Sequence, residues 1–244
     1  MKTLAIIIIT GALAIIAFAF FVGNPFKNSN VELSVSIDKT DSFKATLDVN
    51  QIFSLLDIEN NKWSKITMQI NTLSNFEYTT SQTSTLTSQL LLLSNPDQRD
   101  SSIEHFKRST ILQLNEMKQI PIGRPNSSIY IPMIRELNRL AKSSAKTKIA
   151  IFYSDLRENT KMVFSIYKKE DQELLKTNPE KVKELFMQLE RLGNLKGIKV
   201  YLIFEPGNDF ENTSFNVMSE FIKNILEGAG AEVYIGANLP PDNN

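Results

Sequence analysis

The sequence predicts an α/β domain with a doubly wound, mostly parallel central sheet, one antiparallel edge strand, flanking helices and an N-terminal transmembrane helix. Three observations predict it. Residues 148–153 and 199–204 are short apolar runs of the kind buried on both faces of a parallel sheet. From residue 147 onward strand and helix patterns alternate, which implies parallel strands with helical crossovers. From Thr3 to Val22 every residue is apolar or small, enough for a helix of roughly 20 residues to cross a bilayer.

That apolar run places a membrane anchor at residues 1–23, followed by a polar linker over 24–30 that contains Pro25. The alternative is a cleaved signal peptide, with Ala17-Phe18-Ala19 as a small-x-small site, although this triplet lies inside the apolar run. Lys2 and Lys27 flank the run on opposite sides, so the positive-inside rule gives only a small bias. The expectation is a single-pass membrane protein with its domain outside the cytoplasm, or a secreted or periplasmic protein after signal cleavage.

The predicted domain occupies 31–239, with 240–244 as a tail. Val31, Leu33, Val35 and Ile37 alternate and predict a first strand over 31–37, followed by a helix over 42–56. Ile66, Met68 and Ile70 predict a strand over 65–72, and the Thr- and Ser-rich residues 76–87 predict a third strand paired with it as a hairpin. Residues 95–100 read as a polar break and 103–117 as a helix. After a turn-rich loop over 121–128 comes an amphipathic helix over 129–141, with Met133, Ile134, Leu137 and Leu140 on one face. Residues 156–178 are mixed, and Lys168-Lys169-Glu170-Asp171 reads as a solvated face. Asn178 and Pro179 open a helix over 179–192, closed by Gly193. A helix over 215–227 and a strand over 231–235 complete the pattern.

Composition excludes several chemistries. Of 244 residues 42% are hydrophobic, enough for a core, and 27 basic residues balance 27 acidic ones. Nothing global points to nucleic acid. The absence of cysteine removes disulfides, thiolate metal sites and cysteine nucleophiles. The one histidine, His105, makes a His-rich zinc centre or a Ser-His-Asp triad improbable and reads as an ordinary surface or packing residue.

The chemistry-bearing pattern is Asp38-Lys39-Thr40-Asp41-Ser42, directly after the first strand. Asp38, Thr40 and Ser42 put one carboxylate and two hydroxyls on a strand-to-helix turn, a ligand set suited to a hard divalent cation. Read alone, the same residues also fit a metal-free helix-capping turn, with Asp41 as a cap. Asp38 and Asp155 both end predicted strands, and ligands of such sheets bind at carboxyl ends beside a topological switch point.

Three separated pieces make residues 31–239 resemble the von Willebrand factor A domain family: the turn at 38–42, the loop 123–129 before a helix, and Ser154-Asp155 after the central strand. The resemblance implies a Rossmann-like architecture with a metal-ion-dependent adhesion site. By position Asp38, Thr40, Ser42, Ser127 and Asp155 would surround one Mg²⁺, with Ser128 the alternative to Ser127 and Mn²⁺ the alternative ion. A partner protein's Asp or Glu would complete the coordination. Thr40 and Ser127 exchange Ser and Thr relative to the family pattern and keep the hydroxyl. Leu156 stands where the family commonly has Gly.

The reading implied is a membrane-tethered protein-interaction module, not an enzyme. The alternatives are a structural or assembly component with a stabilising or vestigial metal site, and a Mg²⁺-dependent phosphohydrolase. The last usually carries a second Asp two residues after the first, where this chain has Thr40, and no Gly-rich phosphate loop is present.

Overall fold

A computed structural model describes residues 30–39, 47–73, 80–90, 94–120, 128–160 and 163–240. The anchor and most of the linker therefore lie outside the described residues. So do Thr40, Ser42 and Ser127 of the expected ligand set. Among the described residues no helix is long and apolar enough to cross a membrane.

In chain order the elements are β1 (Val31–Asp38), α1 (Val49–Ser54), β2 (Ile66–Leu73), β3 (Ser81–Leu86), α2 (Pro96–Gln119), α3 (Tyr130–Ala141), β4 (Thr147–Tyr153), β5 (Asn159–Thr160) and β6 (Phe164–Ser165). They continue with α4 (Lys169–Thr177), α5 (Pro179–Leu189), β7 (Ile198–Ile203), α6 (Asp209–Gly228) and β8 (Glu232–Gly236). The main sheet has six strands in the order β3-β2-β1-β4-β7-β8. All neighbours are parallel except the antiparallel β2–β3 edge pair. The protein is thus a mixed α/β fold on a mostly parallel sheet flanked by helices.

The chain winds outward in both directions from β1 and β4. Right-handed crossovers then place the helices of the two halves on opposite faces. Two cores follow. One packs Ile52 of α1 and Phe106, Leu114 and Met117 of α2 against Leu33, Val35 and Ile37 of β1. The other packs α3, α5 and α6 against Ala150 and Phe152 of β4 and Val200 and Leu202 of β7.

β1 departs from the half-buried strand its alternation predicts. Its polar positions are buried too: Ser34 and Ser36 lie on the α3 side, 1% and 0% exposed. A hydrogen-bond network accommodates Ser34, because a buried polar group needs a partner. Ser34 donates to Glu136 of α3 at 2.5 Å and accepts from Asn71 of β2 at 3.2 Å. Arg139 clamps the same Glu136 at 2.8 Å and reaches Glu32 at 2.5 Å. Burial pushes the Glu32 carboxyl up, but bonds from Ser143 and Arg139 outweigh it and hold the group below the usual range.

Several helix ends differ from expectation, those of α2 and α6 because their first turns are polar. α2 starts at Pro96 with Asn95 as cap, inside the stretch read as a break. α6 starts at Asp209 rather than 215, with Asn208 accepting from Glu211 N at 2.9 Å. α1 starts at Val49, where Asp48 caps Asn50 N at 2.9 Å, and residues 40–46 lie outside the description. α5 ends at Leu189, three residues before the predicted end, while its Asn178 cap and Pro179 start are as predicted. The mixed region 156–178 holds the two-residue hairpin β5–β6 and α4. Lys168, Lys169 and Glu170 are exposed, as is His105.

Candidate metal centre

The strand order reverses between β1 and β4. The two strands run parallel with Ile37 opposite Tyr153, so the residues that follow, Asp38 and Ser154, meet at the same carboxyl-terminal edge. Ser154 donates its hydroxyl to Asp38 Oδ2 at 2.5 Å and accepts Leu156 N–H at 3.0 Å. Asp38, Ser154 and Asp155 are all buried, the most exposed at 6%. Two carboxylates and a hydroxyl from two of the predicted segments therefore share one rim of the sheet, at the switch point where ligands of open α/β sheets bind.

Asp155 already has a cation. Its Oδ1 accepts Arg157 N–H at 2.9 Å and its Oδ2 accepts Arg157 Nε at 2.5 Å. The same guanidinium lies 3.9 Å from Glu211 in the first turn of α6. Nothing in the sequence reading assigned Arg157 a role. The i, i+2 spacing after Asp155 is the one signal that was there to find.

Leu156, between them, adopts φ 57°, the left-handed conformation that glycine takes without strain. Its side chain, 1% exposed, packs in the α3–α5–α6 core. That burial offsets the backbone cost of about 1–2 kcal/mol.

The start of α3 is held by Glu158, three residues after Asp155. One carboxylate oxygen accepts Ile129 N–H at 2.9 Å and Tyr130 N–H at 2.8 Å, and the other accepts the Thr160 hydroxyl. The residue at the cap position, Ile129, offers no side-chain acceptor, so Glu158 caps this helix from 29 residues downstream. The Ser128 hydroxyl is buried beside it. On the other side of the sheet, Lys39 donates to Lys118 O at 2.8 Å, the carbonyl in the last turn of α2. Burial lowers the Lys39 ammonium below its ordinary value.

Burial also pushes the Glu158 carboxyl up to about 7, against the hydrogen bonds from Ile129, Tyr130 and Thr160 that favour its anion. A folded value above the unfolded value of 4.5 means that the native state holds a proton the unfolded chain has released. This contribution to stability is therefore full below pH 4.5, falls as pH rises through 4.5–7, and is gone above 7. The expected loss over the whole interval is about 3 kcal/mol. Urea midpoints measured from pH 5 to 8 should fall, and Glu158→Gln should flatten that slope. The opposing Glu32 group is lowered, so its window lies below the one measured. A flat wild-type profile would show that the helix terminus and hydroxyls hold Glu158 ionised throughout.

The donor set, all oxygen and mostly from short side chains, fits a hard divalent cation. Asp38 and Asp155 are the described members. Among the described residues no group of three or more His, Asp or Glu side chains is gathered to hold an ion, so the predicted hydroxyls would have to supply the remaining ligands. No protein-family model matches the chain, and no curated protein matches it in sequence.

Proposed function

We propose that this chain is a membrane-tethered von Willebrand factor A-like interaction module, which recognises an acidic residue of a protein partner through Mg²⁺ held in a metal-ion-dependent adhesion site. The observation that carries this reading is the meeting of Asp38 with Ser154-Asp155 at the reversal of strand order. The order β3-β2-β1-β4-β7-β8 with its antiparallel edge is compatible with it. Asp38, Thr40, Ser42, Ser127 (or Ser128) and Asp155 are the residues that would hold the ion. Bound there, Mg²⁺ would act as a Lewis acid towards a partner carboxylate. Arg157 must release Asp155 when an ion enters, and Glu211 offers its guanidinium a second carboxylate. Residues 3–22 tether the domain, which faces away from the cytoplasm.

A second reading has its own observation. The 2.5 Å bond between Arg157 Nε and Asp155 supplies a resident cation, which favours a structural or assembly component whose metal site is vestigial. Thermal melting of the full-length chain in detergent separates the two. In the first reading Mg²⁺ at 100 times its Kd stabilises the wild type by about 2.7 kcal/mol. EDTA, Asp38→Ala or Asp155→Asn each abolish that gain. A melting temperature indifferent to Mg²⁺, Mn²⁺ and EDTA leaves only the second reading.

A further inference from the structure

We propose that the cleft between α3 and the β1–β2–β3 side of the sheet is a binding site for a small neutral, hydroxyl-bearing molecule the size of one sugar ring. The cleft has a volume of about 330 Å³, within the range of small-ligand sites. Asp38, Ser154 and Asp155 do not line it, although it reaches Leu73, the register partner of Asp38 on β2, and Ser36, two residues before Asp38 on the same side of β1.

Three observations carry the assignment. First, Ser36 lines the cleft, is 0% exposed, and its hydroxyl has no hydrogen-bond partner. A buried hydroxyl left unpaired is costly, and a ligand hydroxyl reaching it would supply both a donor and an acceptor. Second, the charges along the wall are already matched. Arg139 holds Glu136 and Glu32, and Arg135 holds Glu190 at 2.7 Å. An anion entering would meet Glu136 and a cation would meet the two guanidinium groups, so an uncharged ligand is the one that meets no repulsion. Third, the remaining lining combines carboxamide and hydroxyl groups (Gln69, Asn71, Thr72 and Ser81) with the apolar surface of Leu73 and Pro132. A pyranose or cyclic polyol offers the same combination, with C–H faces for an apolar wall and hydroxyls for polar side chains.

The test uses ligand-observed saturation-transfer NMR on the full-length chain in a zwitterionic detergent without a sugar headgroup. The probes are glucose, N-acetylglucosamine and myo-inositol, with acetate and inorganic phosphate as charged controls. At least one neutral probe is expected to bind with an affinity unchanged between 50 and 500 mM NaCl, because no net charge is engaged. Ser36→Ala should weaken it about tenfold, the scale of one buried hydrogen bond, without lowering the melting temperature. Ser81→Trp, on the exposed end of β3, should block the cleft and abolish binding. A β-linked dimer that binds more tightly than its monomer identifies a glycan end as the source, and a weaker one identifies the free sugar. Binding of none of the neutral probes, binding of the anions alone, or affinity unaltered by both substitutions would overturn the assignment.

Discussion

Arg99→Ala is expected to lower the unfolding free energy by about 3–5 kcal/mol, because three backbone carbonyls lose their donor at once and a fully buried side chain is removed. Arg99 is fully buried, although it sits in the first turns of α2, where the sequence suggested a polar break. Its Nε donates to Lys62 O at 2.5 Å, Nη1 to Thr87 O at 2.6 Å and Nη2 to Ser64 O at 2.9 Å. One planar guanidinium thus joins the turn after α1, the end of β3 and α2. Desolvation lowers its basicity, but a guanidinium remains charged at neutral pH. Arg99→Lys should recover only part of the loss, because an ammonium on a flexible stem cannot match a fixed fork. Urea unfolding followed by circular dichroism measures the cost. Fluorescence of the one tryptophan, Trp63, reports locally, since its neighbours on both sides bond to Arg99. A loss under 1 kcal/mol would mean that water replaces the guanidinium.

Phe186→Ala should cost a similar 3–5 kcal/mol for a different reason. The ring is fully buried and central to an aromatic group drawn from four elements. It stacks on Tyr130 of α3 at 4.8 Å and meets Phe164 of β6 at 5.4 Å and Phe221 of α6 at 5.7 Å, both edge-on. Removing it opens a cavity and breaks three ring contacts, each contributing about 0.5–1.5 kcal/mol beyond area burial. Met187, the next residue and 37% exposed, is the control: Met187→Ala should stay within about 0.5 kcal/mol of wild type. If both substitutions cost the same, α5 is not anchored through this ring.

The sheet was legible because its central strands are continuous apolar runs, which single-sequence patterning detects well. β4 and β7 lie within one residue of where the runs place them. Helix starts were less legible. Periodicity sees only the buried stripe, and the first turns of α2 and α6 carry almost none. The Asn95-Pro96 pair and the Asn208 to Glu211 spacing are the local signals that mark those starts. At the site, the convergence of the β1 and β4 carboxyl ends was an expectation of the fold class, because both aspartates end predicted strands of a parallel sheet. The Arg157 contact was not, because a spacing of two residues does not by itself say which way a long side chain turns; packing selects the rotamer. The Glu158 cap joins segments 29 residues apart, a distance over which no local pattern operates. The buried serines of β1 were hidden for the opposite reason: alternation with apolar neighbours is also what a solvent-facing strand looks like.

The dipeptide Asp38-Lys39 belongs to both sides of the sheet. Through Ser154, Asp38 is tied to the loop whose Leu156 enters the core under α3, while Lys39 is tied to the last turn of α2 in the opposite layer. Two adjacent residues at the end of β1 thus bridge the two hydrophobic compartments, one contact to each face.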